Sequence, residues 1–162
     1  MLSERMENLI NFQINKELES AYIYMDFANF FSRKGLKGFE KWYRVQAREE
    51  IEHAEKFIDY MHDEGSEVRL ASIDKPECSC AGIIDVLSQG LQHEIYITNL
   101  INDIYDEAVQ EHDRRTRNFL EWFIEEQAEE EKNATGLIDT YELFARDCRA
   151  GLYQMDQELG KR

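Results

Sequence analysis

The sequence predicts an all-α protein: a four-helix bundle with a long crossover between its second and third helices and a short C-terminal fifth helix. Three observations predict it. The 162 residues include one Pro and 8 Gly, so the main helix breakers are scarce. Four long stretches carry apolar residues at three- and four-residue steps. One irregular segment, about 66–81, holds Pro76 and is too long for a tight antiparallel turn.

The first helix is expected over about 3–32. Ser3 offers half a capping box, and Leu9, Ile10, Ile14, Leu18, Ala21, Met25 and Ala28 mark its apolar stripe. Arg33-Lys34-Gly35 ends it, with cations at the negative end of the helix dipole and Gly just beyond. The second runs over about 37–63 and stops at Glu64-Gly65-Ser66. The third covers about 82–110, and Glu111-His112-Asp113 breaks it from a fourth over about 114–146. Leu152, Met155 and Leu159 recur at helical spacing in a short fifth segment, about 147–159. The whole, residues 1–162, is of a size for one domain with a substantial core.

The chain carries 34 Asp+Glu against 19 Lys+Arg, a formal net charge of −15. Such a field repels nucleic acid and anionic membrane and concentrates cations. No apolar run approaches the roughly 20 residues that span a bilayer, and no signal peptide is visible. Three cysteines, Cys78, Cys80 and Cys148, are too few for a disulfide scaffold. They are expected to be reduced thiols in a cytoplasmic protein.

A bundle helix should bury an apolar stripe and keep its charges outside. Each long helix here breaks that rule near its middle. Glu17 shares a face with Ile10, Ile14, Ala21 and Tyr24. Glu50 and His53, one turn apart, lie on the face of Phe39, Trp42, Gln46 and Phe57. Glu94 sits amid Ile83, Leu87, Leu91, Thr98 and Ile101. Gln127 and Glu130 interrupt Leu120, Phe123, Ala134 and Leu137.

Burying one unpaired carboxylate costs several kcal/mol, and several together repel one another. A pair of divalent or trivalent cations removes that repulsion. Oxygen ligands with one imidazole suit iron or manganese and are too carboxylate-rich for structural zinc. Di-metal carboxylate bundles place one Glu on each of two helices and Glu-x-x-His on each of the other two. Glu17 and Glu94 fill the single places, and Glu50-Ile51-Glu52-His53 supplies one Glu-x-x-His. The fourth helix departs from that pattern with Gln127-Ala128-Glu129-Glu130.

Further motifs carry a family resemblance over essentially the whole chain. Asn11-Phe12-Gln13-Ile14-Asn15-Lys16-Glu17-Leu18 resembles the opening motif of the non-heme bacterial ferritins. Gly35-Leu36-Lys37-Gly38-Phe39, Gln46-Ala47-Arg48-Glu49-Glu50, His53-Ala54, His93-Glu94, Trp122-Phe123-Ile124-Glu125-Glu126-Gln127 and Asp156-Gln157-Glu158-Leu159-Gly160 are similar to theirs as well. The resemblance implies a ferritin-like bundle with a ferroxidase centre of two iron positions. One would use Glu17, Glu50 and His53. The other would share Glu50 as a bridge and add Glu94, Glu130 and Gln127. Tyr24 matches the family tyrosine beside the centre, and Glu49, Glu126 and Glu129 match a third, weaker iron position that shares Glu130.

The resemblance also implies iron storage: Fe(II) is oxidised by O2 or H2O2 and kept as ferric oxyhydroxide inside a homo-oligomeric cage of twenty-four chains. The fifth helix would line the four-fold axes, and Glu111-His112-Asp113 would lie near the three-fold axes. Heme is not expected. Where the heme-containing bacterioferritins have a Met after the bridging Glu this chain has Ile51, and their last Glu-x-x-His is here Gln127-x-x-Glu130. Two other classes stay open: a di-iron oxidase acting on an organic substrate, and a metal-free structural bundle.

Overall fold

The computed structural model describes residues 2–77 and 80–162. The elements are α1 (Glu4–Arg33), α2 (Lys37–Asp63), α3 (Ile83–Gln110), α4 (Arg114–Thr140), a π-helical segment (Tyr141–Ala145) and α5 (Arg149–Leu159). Short turns fold α1 against α2 and α3 against α4, and α5 packs on α2. No helix among the described residues is long and apolar enough to cross a membrane.

The helix ends follow from local chemistry. Ser3 caps α1 by accepting from the Met6 N–H at 3.0 Å. The first three helices end alike. The N–H groups of Leu36, Ser66 and Asp113 reach back to the carbonyls of Phe31, Met61 and Ala108 at 3.1, 2.9 and 2.8 Å. Each such turn needs one left-handed residue. Gly35 and Gly65 supply it at φ 75° and 71°, and His112 adopts it at 55° despite its Cβ.

Two features depart from the sequence reading. Met25 is exposed, off the buried face of α1. The fourth helix reaches the expected end, but its last turn, Tyr141–Ala145, is π-helical rather than α-helical, and the turn at Arg146–Asp147 leads into α5. Cys148 then caps α5, its sulfur accepting from the Gly151 N–H at 3.3 Å.

The crossover runs along α1. Asn11 donates to the Glu67 carbonyl and accepts from the Arg69 N–H, and Asn15 donates to the Ser72 carbonyl. Cys148 is a free thiol. Cys80, however, is disulfide-bonded, which corrects the expectation of three reduced thiols. A small cysteine count excludes a scaffold of crosslinks but not a single one. Cys78 lies outside the described residues.

The core has two apolar halves. One gathers Phe27, Phe31, Phe39, Tyr43 and Leu87; the other gathers Ile10, Ile14, Phe57, Ile97, Ile101, Leu120 and Phe123. Between them lies a buried polar layer contributed by all four long helices.

Candidate metal centre

Mid-bundle, the apolar stripes of α1 to α4 carry Glu17, Glu50, His53, Glu94, Gln127 and Glu130. Their exposures are 1%, 2%, 4%, 3%, 3% and 5%, so none is a surface carboxylate or amide. Glu17, Glu50 and His53 each offer a ligand atom, and these atoms all lie within 4.8 Å of one another. His53 Nδ1 is 3.2 Å from Glu50 Oε2 and 4.0 Å from Glu17 Oε2. His53, Glu126 and Glu130 form a second such group, with His53 Nε2 3.8 Å from Glu126 Oε1.

Glu94 joins neither group. Its carboxylate accepts a short hydrogen bond from the Tyr24 hydroxyl and another from Gln127 Nε2 at 3.2 Å. Gln127 Nε2 also approaches Thr98 Oγ1 at 3.3 Å. In this arrangement Gln127 is a donor, and its amide would turn over to offer an oxygen to a cation. A cavity of about 20 Å³ separates Glu94 and Glu130, lined also by Tyr24, Tyr43 and Gln46. That space suits an ion or a water.

The motif reading gave no role to two glutamines that organise the carboxylates. Gln13 Nε2 donates to Glu17 Oε1 at 2.7 Å. Gln46 Nε2 donates to both Glu50 Oε1 and Glu130 Oε2, each at 2.9 Å. The signal was present as a repeated Gln-x-x-x-Glu, which puts amide and carboxylate one turn apart on α1 and α2.

The electrostatics are those of negative groups confined without water. Burial, then the Glu50 charge, pushes Glu17 up to about 8. The same causes bring Glu130 to about 7 and drive Glu94 well above its ordinary value. Burial opposes a charge on His53, but its hydrogen bond to Glu50 and the charges of Glu50 and Glu17 outweigh this, raising it to about 9. Burial and the Glu94 charge push the Tyr24 phenol well up, so it remains a donor. Glu17 Oε2 is buried with no hydrogen-bond partner. An orphaned oxygen beside an imidazole and further carboxylates is what a hard cation would complete.

The residues expected at a third position are spread differently. Glu126 faces His53, and burial with repulsion from Glu129 and Glu49 raises its pKa despite the opposing His53 charge. Glu49 does not join a group of ligand atoms and instead pairs with Arg162. At the turn after α3, Asp113 Oδ1 accepts from the Arg115 and Thr116 N–H groups, so this carboxylate serves as the cap of α4.

The ferritin-like domain family matches residues 7–144. The chain is 33% identical to the bacterial non-heme ferritin of Bacteroides fragilis, over all of both chains. It is 34% identical to that of Campylobacter jejuni, over 98% of this chain and 95% of the relative. Among solved structures, the open pore ferritin of the archaeon Archaeoglobus fulgidus superposes with a TM-score of 0.97 at 36% identity, covering 100% of this chain and 99% of that one. Fold and relatedness over the full length thus agree, and the chain belongs to the ferritin family.

Proposed function

We infer that this protein stores iron and that its buried polar layer is a ferroxidase centre taking Fe(II) as substrate. Family membership and fold support iron storage. The observation that carries the catalytic reading is the clustering of Glu17, Glu50 and His53, with Glu130 grouped on His53 and Glu94 in the same buried layer, while Glu17 Oε2 has no hydrogen-bond partner.

In this reading Glu17, Glu50 and His53 bind one ferrous ion. Glu50 bridges to a second position bounded by Glu94, Glu130 and Gln127. Hard carboxylates favour Fe(III) over Fe(II), so they lower the potential enough for O2 or H2O2 to accept electrons. Two adjacent ions supply two electrons together. Tyr24 holds Glu94 by donating to it, while Gln46 ties Glu50 to Glu130 and keeps the two halves in register. Deprotonation of Glu17, Glu130 and His53 accompanies metal entry, because each binds its proton more tightly here than in water. The product hydrolyses to ferric oxyhydroxide, and nearby carboxylates accept the protons released.

The cage of twenty-four chains belongs to the same proposal. Leu143, Phe144 and Tyr153 are 73%, 65% and 67% exposed. Phe144 also lines a groove of about 720 Å³ together with Leu137, Cys148, Met155 and Leu159. Apolar surface on this scale suits burial against neighbouring copies. We assign the protein to the cytoplasm, where Fe(II) persists.

Aerobic addition of Fe(II) tests the centre, following near-ultraviolet ferric absorbance and oxygen uptake. Wild type should show a fast phase that Glu50→Ala loses, and equal rates in the two proteins would refute the centre. Size-exclusion chromatography tests the cage: a very large assembly is expected, whereas a small dimer would favour a di-iron oxidase of another kind.

A further inference from the structure

Tyr43 on α2 has no part in the centre as described, yet its side chain reaches the centre's cavity. The residue is 3% exposed and lines the space of about 20 Å³ between Glu94 and Glu130. Its ring is held on three sides. It lies parallel to Phe31 at a centroid distance of 5.5 Å, edge-on to Phe27 at 5.4 Å and tilted to Tyr24 at 5.7 Å. On α3 it meets Gly90, where a Cβ would stand 3.5 Å from Tyr43 Oη, so no side chain at that position screens the hydroxyl. Packing thus fixes where this oxygen sits.

The neighbouring polar groups are already committed. The Tyr24 hydroxyl donates to Glu94, and the Gln46 amide serves Glu50, Glu130 and Arg162. The Tyr43 hydroxyl makes no hydrogen bond among the described residues. Burial, and then the Glu94 charge, push its phenol up from the ordinary value, so it stays protonated and free to donate. A space of this size, bounded by two carboxylates and a free hydroxyl, takes a water or a molecule little larger.

We propose that Tyr43 binds the oxidant of the centre, its hydroxyl donating to the oxygen that meets iron at the second position. Two ferrous ions release two electrons. O2 takes them with two protons from solvent and leaves as H2O2, whereas H2O2 takes them and leaves as two hydroxide ions. In both cases negative charge gathers on oxygen, and a fixed donor already aimed there lowers the barrier. Tyr43 keeps its own proton throughout. The proposal rests on the ferroxidase reading of the buried layer.

Tyr43→Phe keeps the ring packing and removes only the donor. Fe(II) oxidation is followed by stopped-flow absorbance in two arms, one with O2 and one anaerobic with H2O2. The variant should slow the fast phase about tenfold in at least one arm, and the arm affected names the oxidant. Azide, a small anion that accepts hydrogen bonds, gives a reading without turnover. Titrated calorimetrically into the Zn(II)-loaded protein, it should bind wild type about tenfold more tightly than Tyr43→Phe. Equal rates in both arms overturn the proposal. So does a slower Tyr43→Phe that binds azide as tightly as wild type, since the loss would then be structural. In either case a fast phase that Glu50→Ala abolishes leaves the ferroxidase reading standing. Without such a phase in wild type, that reading falls and this proposal with it.

Discussion

Asp156 on α5 accepts a 2.8 Å hydrogen bond from the backbone N–H of Gly38 in the first turn of α2. The same oxygen takes the Phe39 N–H at 3.0 Å. Leu36, the residue at the N-cap of α2, makes no side-chain cap, so a carboxylate from the far end of the chain performs that task. The contact is tight: a Cβ on Gly38 would lie 1.6 Å from the Asp156 carbonyl oxygen. Asp156→Ala should therefore lower unfolding stability by about 1–3 kcal/mol. Gly38→Ala should do at least as much damage by forcing α5 away. Chemical denaturation measures both, and an unmoved midpoint in Asp156→Ala would show that the cap carries no energy.

Glu17 is a liability in the metal-free protein. Glu17→Gln keeps the shape and removes the charge that burial opposes. At pH 8 to 9 it should raise metal-free stability by about 1–3 kcal/mol. It should also abolish most of the thermal protection that added Zn(II) gives wild type. A variant that is both less stable and still protected would mean that Glu17 is an ordinary structural residue.

The pH dependence has one sign. Glu17 and Glu130 rise from an ordinary 4.5 to about 8 and about 7, and His53 rises from 6.5 to about 9. Each group binds its proton more tightly folded than unfolded. Its contribution is complete below the unfolded value and is lost as pH climbs through the folded one. The share of metal-free stability due to these groups should thus decline between about pH 4.5 and 9. At pH 7 metal binding should expel about one proton or more per chain. Calorimetry in buffers of different ionisation enthalpy reads that number, and a value of zero would contradict the charge state described.

His112 holds the left-handed position that Gly35 and Gly65 fill at the corresponding turns. His112→Gly should stabilise the fold by up to about 1 kcal/mol, since a Cβ is disfavoured in the left-handed region. A thermal melt with a lower midpoint would indicate that the imidazole makes compensating contacts.

Gln127 donates to Glu94, a bond that a carboxylate at this position cannot make. Gln127→Glu should weaken the metal-free fold by adding a buried charge. It should also hold metal at the second position about tenfold more tightly, slowing iron release. Release to a chelator reads this directly, and an unchanged rate would remove Gln127 from the second position.

The helical frame was legible because its causes are local. Period, breakers and caps placed α2 over residues 37–63 and set the break at residues 111–113, and the structure has the same bounds. The odd residues were legible too. Glu17, Glu50, Glu94 and Glu130 stand out because each violates the apolar face of its own helix, and that needs no partner to be seen. The π-helical form of the last turn, Tyr141–Ala145, was not visible, since helical spacing does not say which carbonyl each N–H will reach.

Hidden from the sequence was which groups meet across the bundle. Asp156 to Gly38, Gln46 to Glu130 and Arg162 to Glu49 join residues 118, 84 and 113 positions apart. Periodicity within one helix says which face a side chain takes, but not which atom on another helix it will touch. The sequence by itself determined four amphipathic helices with acids on their dry faces. Only the tertiary structure decided that Glu17, Glu50 and His53 share one point, that Glu94 turns to Tyr24, and that a guanidinium sits on Glu49. The physical reason is that burial is a property of one helix face, whereas a coordination geometry is a property of several helices packed at fixed distance.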